Sequence, residues 1–143
     1  MKRIYRVVID TNVLISALRS RRGASFKLLS LVGTGRFVMN ISVPLVLEYE
    51  TTARKTKWEG KPAWNYIADI LDYLCQEGEQ QQIHFLWRPR AKDPKDDMIL
   101  ELAVAGNCDF IITYNKKDLR EANAFGIKLL DPKEFLIKLG EIQ

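Results

Sequence analysis

The chain predicts an α/β fold, a three-layer α/β/α sandwich around a mainly parallel sheet. Three observations carry that reading. Short apolar runs, among them Val7-Val8-Ile9 and Phe110-Ile111-Ile112, are unbroken and β-branched or aromatic, the pattern of strands covered on both faces. Stretches with apolar residues at helical spacing alternate with these runs along the chain. Acidic residues gather just past strand ends and at helix starts, while basic residues collect in loops.

The first unit is Tyr5 to Leu18. The run Val7–Ile9 stops on Asp10, and Val13, Leu14, Ala17 and Leu18 then recur at helical spacing. A carboxylate at that junction fits two roles. It can cap the following helix, or it can face a ligand at the carboxyl end of a strand. A basic loop, Arg19-Ser20-Arg21-Arg22-Gly23, follows.

A second helix is expected over Ala24–Val32, ended by Gly33 and Gly35, and a second strand over Phe37–Ile41. Ser42 is placed to cap a third helix that carries Leu45, Val46, Leu47, Glu48 and Tyr49 and ends in a basic tail. Trp64, Ile67, Ile70, Leu71 and Leu74 mark a fourth helix. Ile83, Phe85 and Trp87 predict a strand, followed by the basic loop Arg88-Pro89-Arg90-Ala91-Lys92.

Asp93 and Pro94 open a fifth helix with Asp96 and Asp97 in its first turn, and Met98–Ala105 is apolar almost all the way round. Phe110–Ile112 predicts a strand ending at Thr113-Tyr114-Asn115. A helix over Lys116–Ala124, a strand over Ile127–Leu130 and a helix over Pro132–Leu139 complete the pattern.

The 143 residues, 47% hydrophobic and 28% charged, fit one folded domain spanning 1–143. No repeat or linker interrupts them, and no apolar run reaches the length of a membrane span. No signal peptide precedes Val7, so a cytoplasmic protein that does not contact membrane is expected. Cys75 and Cys108 match no zinc or redox spacing and are expected to stay reduced. His84 is the single histidine; on its own it supplies neither a zinc site nor a Ser/His/Asp triad, and it is expected as a strand or surface residue. No GxxxxGKS sequence is present, so a P-loop NTPase is excluded. Asn12 stands where a dehalogenase-type phosphatase needs a second aspartate, which excludes that chemistry as well.

Asp10, Glu48, Asp97 and Asp118 call for a joint account. If the strands are parallel neighbours, their carboxyl ends converge on one crevice. Converging carboxylates repel unless a cation neutralises them. Oxygen donors select hard cations, so Mg²⁺ or Mn²⁺ is expected and zinc is not. Water on such an ion is a nucleophile for phosphodiester hydrolysis. A net charge of +4 suits a polyanionic partner. Arg19, Arg21 and Arg22 in the first basic loop and Arg88, Arg90 and Lys92 in the second are the candidate contacts to the phosphates of such a partner. Lys55, Lys57 and Trp58 stand with them.

Four segments together resemble the PIN-domain ribonucleases. Ile9-Asp10-Thr11-Asn12-Val13-Leu14-Ile15-Ser16 resembles that family's opening motif, and Ser42–Glu48 is similar to the helix that supplies its glutamate. Asp93-Pro94-Lys95-Asp96-Asp97 with Leu100, Leu102 and Ala103 resembles the third motif, and Thr113 through Leu119 resembles the fourth. The resemblance implies an α/β/α fold and a Mg²⁺-dependent RNA-cleaving site. Asp10, Glu48, Asp97 and Asp118 would be its metal carboxylates, with Asn12, Asp96, Thr113 and Asn115 supporting them. Asn115 stands where many relatives carry an acid, which leaves Asn115 and Asp118 as alternatives for the fourth position, and Asp96 beside Asp97 leaves a similar choice. The resemblance also implies the toxin of a toxin–antitoxin pair, with RNA as substrate, a cognate antitoxin as partner, and a homodimer among the assemblies to test. A non-catalytic RNA- or partner-binding module and a DNA-directed nuclease are the alternative functions.

Overall fold

Strand β1 (Tyr5–Ile9) is the centre of a five-stranded sheet, and three consecutive residues explain why. Val7, Val8 and Ile9 are all fully buried, and because successive side chains point to opposite faces, both faces must be covered. A computed structural model describes residues 3–60, 64–83 and 94–143. In chain order the elements are β1, α1 (Thr11–Arg19), α2 (Ala24–Ser30), β2 (Phe37–Ile41), α3 (Val43–Lys55), α4 (Trp64–Glu77) and β3 (Glu79–Gln80). Then come α5 (Pro94–Ala105), β4 (Phe110–Ile112), a 3-10 helix (Lys116–Phe125), β5 (Lys128–Leu130) and α6 (Pro132–Leu139).

The strand order is β3-β2-β1-β4-β5, and every pairing is parallel. Val7 pairs with Met39 on one side and with Phe110 on the other, and Ile9 pairs with Ile112. Helices flank the sheet, as the alternating pattern predicts. The chain runs outward from β1 through β2 to β3, then returns to place β4 on the opposite side of β1. The reversal lies between β1 and β4, so their carboxyl ends border a crevice.

Local chemistry fixes the element ends. The Ser42 hydroxyl accepts from the Leu45 amide at the start of α3. Asp131 and Glu134 form a reciprocal capping box at the start of α6, and Gly140 takes the left-handed conformation that ends it. The rings of Tyr5, Phe37, Phe110 and Phe135 pack edge to face and anchor α6 against the amino-terminal end of the sheet. No helix among the described residues is long and apolar enough to cross a membrane.

The structure departs from the expected elements at β3 and at the 3-10 helix. β3 is formed by Glu79 and Gln80, two exposed polar residues whose pairing with Asn40 and Ile41 no apolar pattern announces. The strand expected over 83–87 lies, apart from Ile83, outside the described residues, as do the second basic loop, Asp93 and His84. Lys116–Phe125 forms a 3-10 helix, and Gly126 ends it in the left-handed region.

Candidate active site

The backbone at the end of β1 places Asp10. Its amide donates to the Ile112 carbonyl at 2.9 Å, the last rung before β1 and β4 part. Both carboxylate oxygens then receive donors. Oδ1 accepts from the Thr11 amide at 2.8 Å, while Oδ2 accepts from the Thr113 hydroxyl at 2.7 Å and from Asn12 Nδ2 at 3.3 Å. Asp10 therefore caps α1 through Oδ1 and is also a residue of the crevice. Burial pushes its carboxyl above the ordinary value of 3.8; the hydrogen bonds from Thr113 and Thr11 oppose that, and the nearby charges of Glu48 and Asp118 add to it.

Tyr49 supports this position from below. It is fully buried, and its hydroxyl donates to the Ile9 carbonyl. Burial drives that phenol well above its ordinary value, so it serves as a fixed donor. The sequence pattern places Tyr49 on the third helix without a role, and its position beside Glu48 is the one available signal.

A cleft of about 600 Å³ opens at the carboxyl ends of β1 and β4. Asp10, Asn12, Arg19, Glu48, Thr52, Lys95, Asp96 and Asn115 are among the residues that line it. Glu48 is 16% exposed at its side chain, and its Oε1 accepts from the Thr52 hydroxyl at 2.8 Å. Lys95 Nζ lies 3.4 Å from the same oxygen. Neither Thr52 nor Lys95 stands out in the sequence. A threonine one helical turn beyond Glu48 is a usable signal, whereas nothing local announces the approach of Lys95.

Asp10, Glu48, Asp96 and Asn115 thus share one cleft. Asp97, in the same turn as Asp96, is 3% exposed and sits outside the cleft lining. Asp118 is exposed and accepts from Asn115 Nδ2 at 2.6 Å, one residue removed from the cleft. The Asn115 amide in turn donates to Thr113 Oγ1 at 2.9 Å, so a chain of bonds runs from Asp118 through Asn115 and Thr113 to Asp10. Arg19 lines the cleft, Arg21 lies over the Tyr66 ring, and Arg22 is exposed. Arg88, Arg90 and Lys92 lie outside the described residues.

The donors in the cleft are oxygens, which fit a hard divalent cation and not a soft one. Among the described residues no three acidic, histidine or cysteine side chains stand together in ligand geometry. Magnesium does not require such a set, because it keeps several waters and binds through one or two carboxylates together with substrate phosphate. Asp10 and Glu48, both in the cleft lining, are the residues that could serve it.

The order of strands and the oxygen-lined crevice define an all-parallel α/β domain with its site at the reversal of strand order. The family model of the PIN domain matches residues 6–117, and the chain belongs to that family. Among solved structures, it is similar to a chain of VapBC2 from Rickettsia felis bound to a DNA fragment from their promoter, with a TM-score of 0.62 at 16% identity. The alignment covers 88% of this chain and 99% of that one. No curated protein matches the sequence.

Proposed function

We propose that this protein is a Mg²⁺- or Mn²⁺-dependent ribonuclease and the toxin of a toxin–antitoxin pair. The observation that carries the nuclease reading is the meeting of Asp10 and Glu48 in one cleft at the reversal between β1 and β4. Asp10 and Glu48 would hold the cation, and Asp96 or Asp97 at the start of α5 would complete the acidic wall. Asp118 would act through Asn115. The bound cation would supply an activated water and offset charge on the cleaved phosphate.

The chain's own residues account for the rest. Thr113 and Thr11 hold the Asp10 carboxylate in one orientation, and Thr52 does the same for Glu48. Arg19 at the rim offsets the repulsion that an RNA backbone would meet from the acids. The toxin role rests on the family, many of whose bacterial and archaeal members of this size are toxins held inactive by an antitoxin.

The test is an RNA cleavage assay with single-stranded substrate. Mg²⁺ or Mn²⁺ is expected to support cleavage, and EDTA and Asp10→Asn to abolish it. Cleavage that persists in EDTA removes the metal-dependent reading. RNA binding without cleavage under any metal assigns the chain to the non-catalytic alternative, which the Lys95–Glu48 contact favours because an ammonium already neutralises one of the acids.

A further inference from the structure

Arg19 and Arg21 are held on aromatic rings, whereas other arginines of the molecule are held on carboxylates. Arg19 Cζ lies 5.8 Å from the centre of the Trp58 ring, and Arg21 Cζ lies 4.8 Å from that of Tyr66. Arg6 and Arg36 instead form ion pairs with Glu79 and Glu141, and Arg3, 5.9 Å from the Tyr5 ring centre, is also paired with Asp109. Among the described residues no carboxylate lies within ion-pair distance of Arg19 or Arg21. Their positive charge is therefore kept, although a cleft with Asp10, Glu48 and Asp96 is adjacent to Arg19.

The chemistry of that arrangement is specific. A guanidinium lying on a ring keeps its in-plane N–H donors, and those donors match a phosphate two at a time. The ring also restricts the side chain beforehand, so less conformational freedom is lost when a ligand binds. The far face of the guanidinium stays available to a flat partner, and nucleobases stack on arginine planes as they do on aromatic rings. Arg54, 4.1 Å from the Trp64 ring, extends the same pattern along α3 and α4, with its charge shared with Glu50.

We propose that the Arg19–Trp58 and Arg21–Tyr66 pairs form a track for single-stranded RNA that leads out of the acidic cleft. The inference rests on the nuclease reading and names how the substrate is held. Arg19 belongs both to the cleft lining and to the first arginine–ring pair, so the track starts where the chemistry would end. Each pair offers a phosphate clamp and a stacking plane together. A single strand uses both, because its bases are unstacked and reachable. Duplex nucleic acid keeps its bases inside the helix, and an acidic peptide has nothing to place on the guanidinium plane.

The experiment measures binding of a fluorescein-labelled oligouridylate by fluorescence anisotropy. It uses the full chain in EDTA, so that cleavage does not intervene, over a range of salt concentrations. Arg19→Ala and Arg21→Ala are each expected to weaken binding about tenfold, which is about 1.4 kcal/mol, since each removes a stacking plane and a phosphate contact. Each is also expected to lower the slope of log K against log salt by about 0.7. Arg21→Lys keeps the charge and loses the plane, so it is expected to retain the slope and lose affinity. Circular dichroism melts of each variant check that the fold is intact.

A double Arg→Ala variant that binds with the affinity and slope of the wild type overturns the track. Duplex RNA of the same length that binds as tightly, with the same sensitivity to both substitutions, overturns its single-strand character. Loss of poly-glutamate binding in the double variant, with RNA binding unchanged, overturns it in favour of a protein partner. A wild type that neither binds nor cleaves RNA removes the proposed function itself, and wild-type cleavage with unaffected variants removes the track alone.

Discussion

The Thr113 hydroxyl and the Asp10 carboxylate meet across the gap where β1 and β4 part, with Thr113 Oγ1 donating to Asp10 Oδ2 at 2.7 Å. Thr113 has no exposed surface, so its hydroxyl cannot exchange this partner for water at the site. The bond fixes one carboxylate oxygen and works against the upward push that burial exerts on the Asp10 carboxyl. Thr113→Val keeps the shape and removes the donor. It is expected to cost about 1–3 kcal/mol in urea unfolding, because a polar partner is left unsatisfied. It is also expected to raise the pH at which the Asp10 carboxyl ionises, read from its carbon NMR shift. An unchanged titration means that the bond does not set the state of Asp10.

Asp10→Asn tests the metal and the cap together. The folded carboxyl binds its proton more tightly than the unfolded one, so the metal-free folded state holds more protons in the window above 3.8. Stability of the metal-free wild type is therefore expected to fall as pH rises from 3.8 through the raised value of Asp10. An asparagine side chain does not titrate, so the variant's melting temperature is expected to drop less across that window. At about a hundredfold excess over its dissociation constant, Mn²⁺ is expected to add about 2.7 kcal/mol to the wild type and little to the variant. Equal shifts in both return Asp10 to a capping role, since Asn caps as well as Asp.

Lys95 competes for the oxygen that a cation would use. Its ammonium lies 3.4 Å from Glu48 Oε1 on a side chain that is 63% exposed, which limits the pair to about 0–1 kcal/mol. Lys95→Gln is accordingly expected to tighten Mn²⁺ binding up to about fivefold, as measured by calorimetry. Weaker Mn²⁺ binding in the variant would show that Lys95 supports the cation site and does not oppose it.

Asp96 and Asp97 are expected to separate by what each substitution damages. Asp96 lines the cleft and Asp97 is 3% exposed in the packed first turn of α5. Asp96→Asn is expected to weaken Mn²⁺ binding with the melting temperature unchanged. Asp97→Asn is expected to lower the melting temperature by several degrees, on the scale of about 1 kcal/mol in a domain of this size. The reverse pattern would exchange the two roles.

Much of this protein is legible in the sequence because its information is local. Val7, Val8 and Ile9 announce a strand buried on both faces, and Asp10 announces its end, because both follow from residue chemistry and a period of two. The starts of α3 and α6 follow from Ser42 and Asp131 in the same way. The resemblance to PIN-domain ribonucleases likewise comes from short segments read in order, and the family match over residues 6–117 agrees with it.

Other features needed the folded chain. One residue along a helix turns the side chain by about 100°, so neighbouring Asp96 and Asp97 are chemically alike in sequence and differ in direction. Only the docking of α5 on β1, β2 and β4 decides that Asp96 faces the cleft while Asp97 turns inward. Asn115 and Asp118 also differ in place: Asn115 lines the cleft, while Asp118 sits one hydrogen bond behind it, near enough for its charge to act on Asp10. β3 consists of two polar residues recruited by the edge of β2, and backbone pairing of that kind leaves no apolar signature. The placing of Arg19 over the Trp58 ring and of Arg21 over that of Tyr66 joins residues that lie far apart along the chain. The sequence determined that those arginines are basic and close together in the chain, but the loop expected from Arg19 onward begins only after it, since Arg19 is the last residue of α1. Which surface would hold their charge, a ring or a carboxylate, was decided by packing, since a side chain's partner depends on what the fold brings within a few ångströms of it.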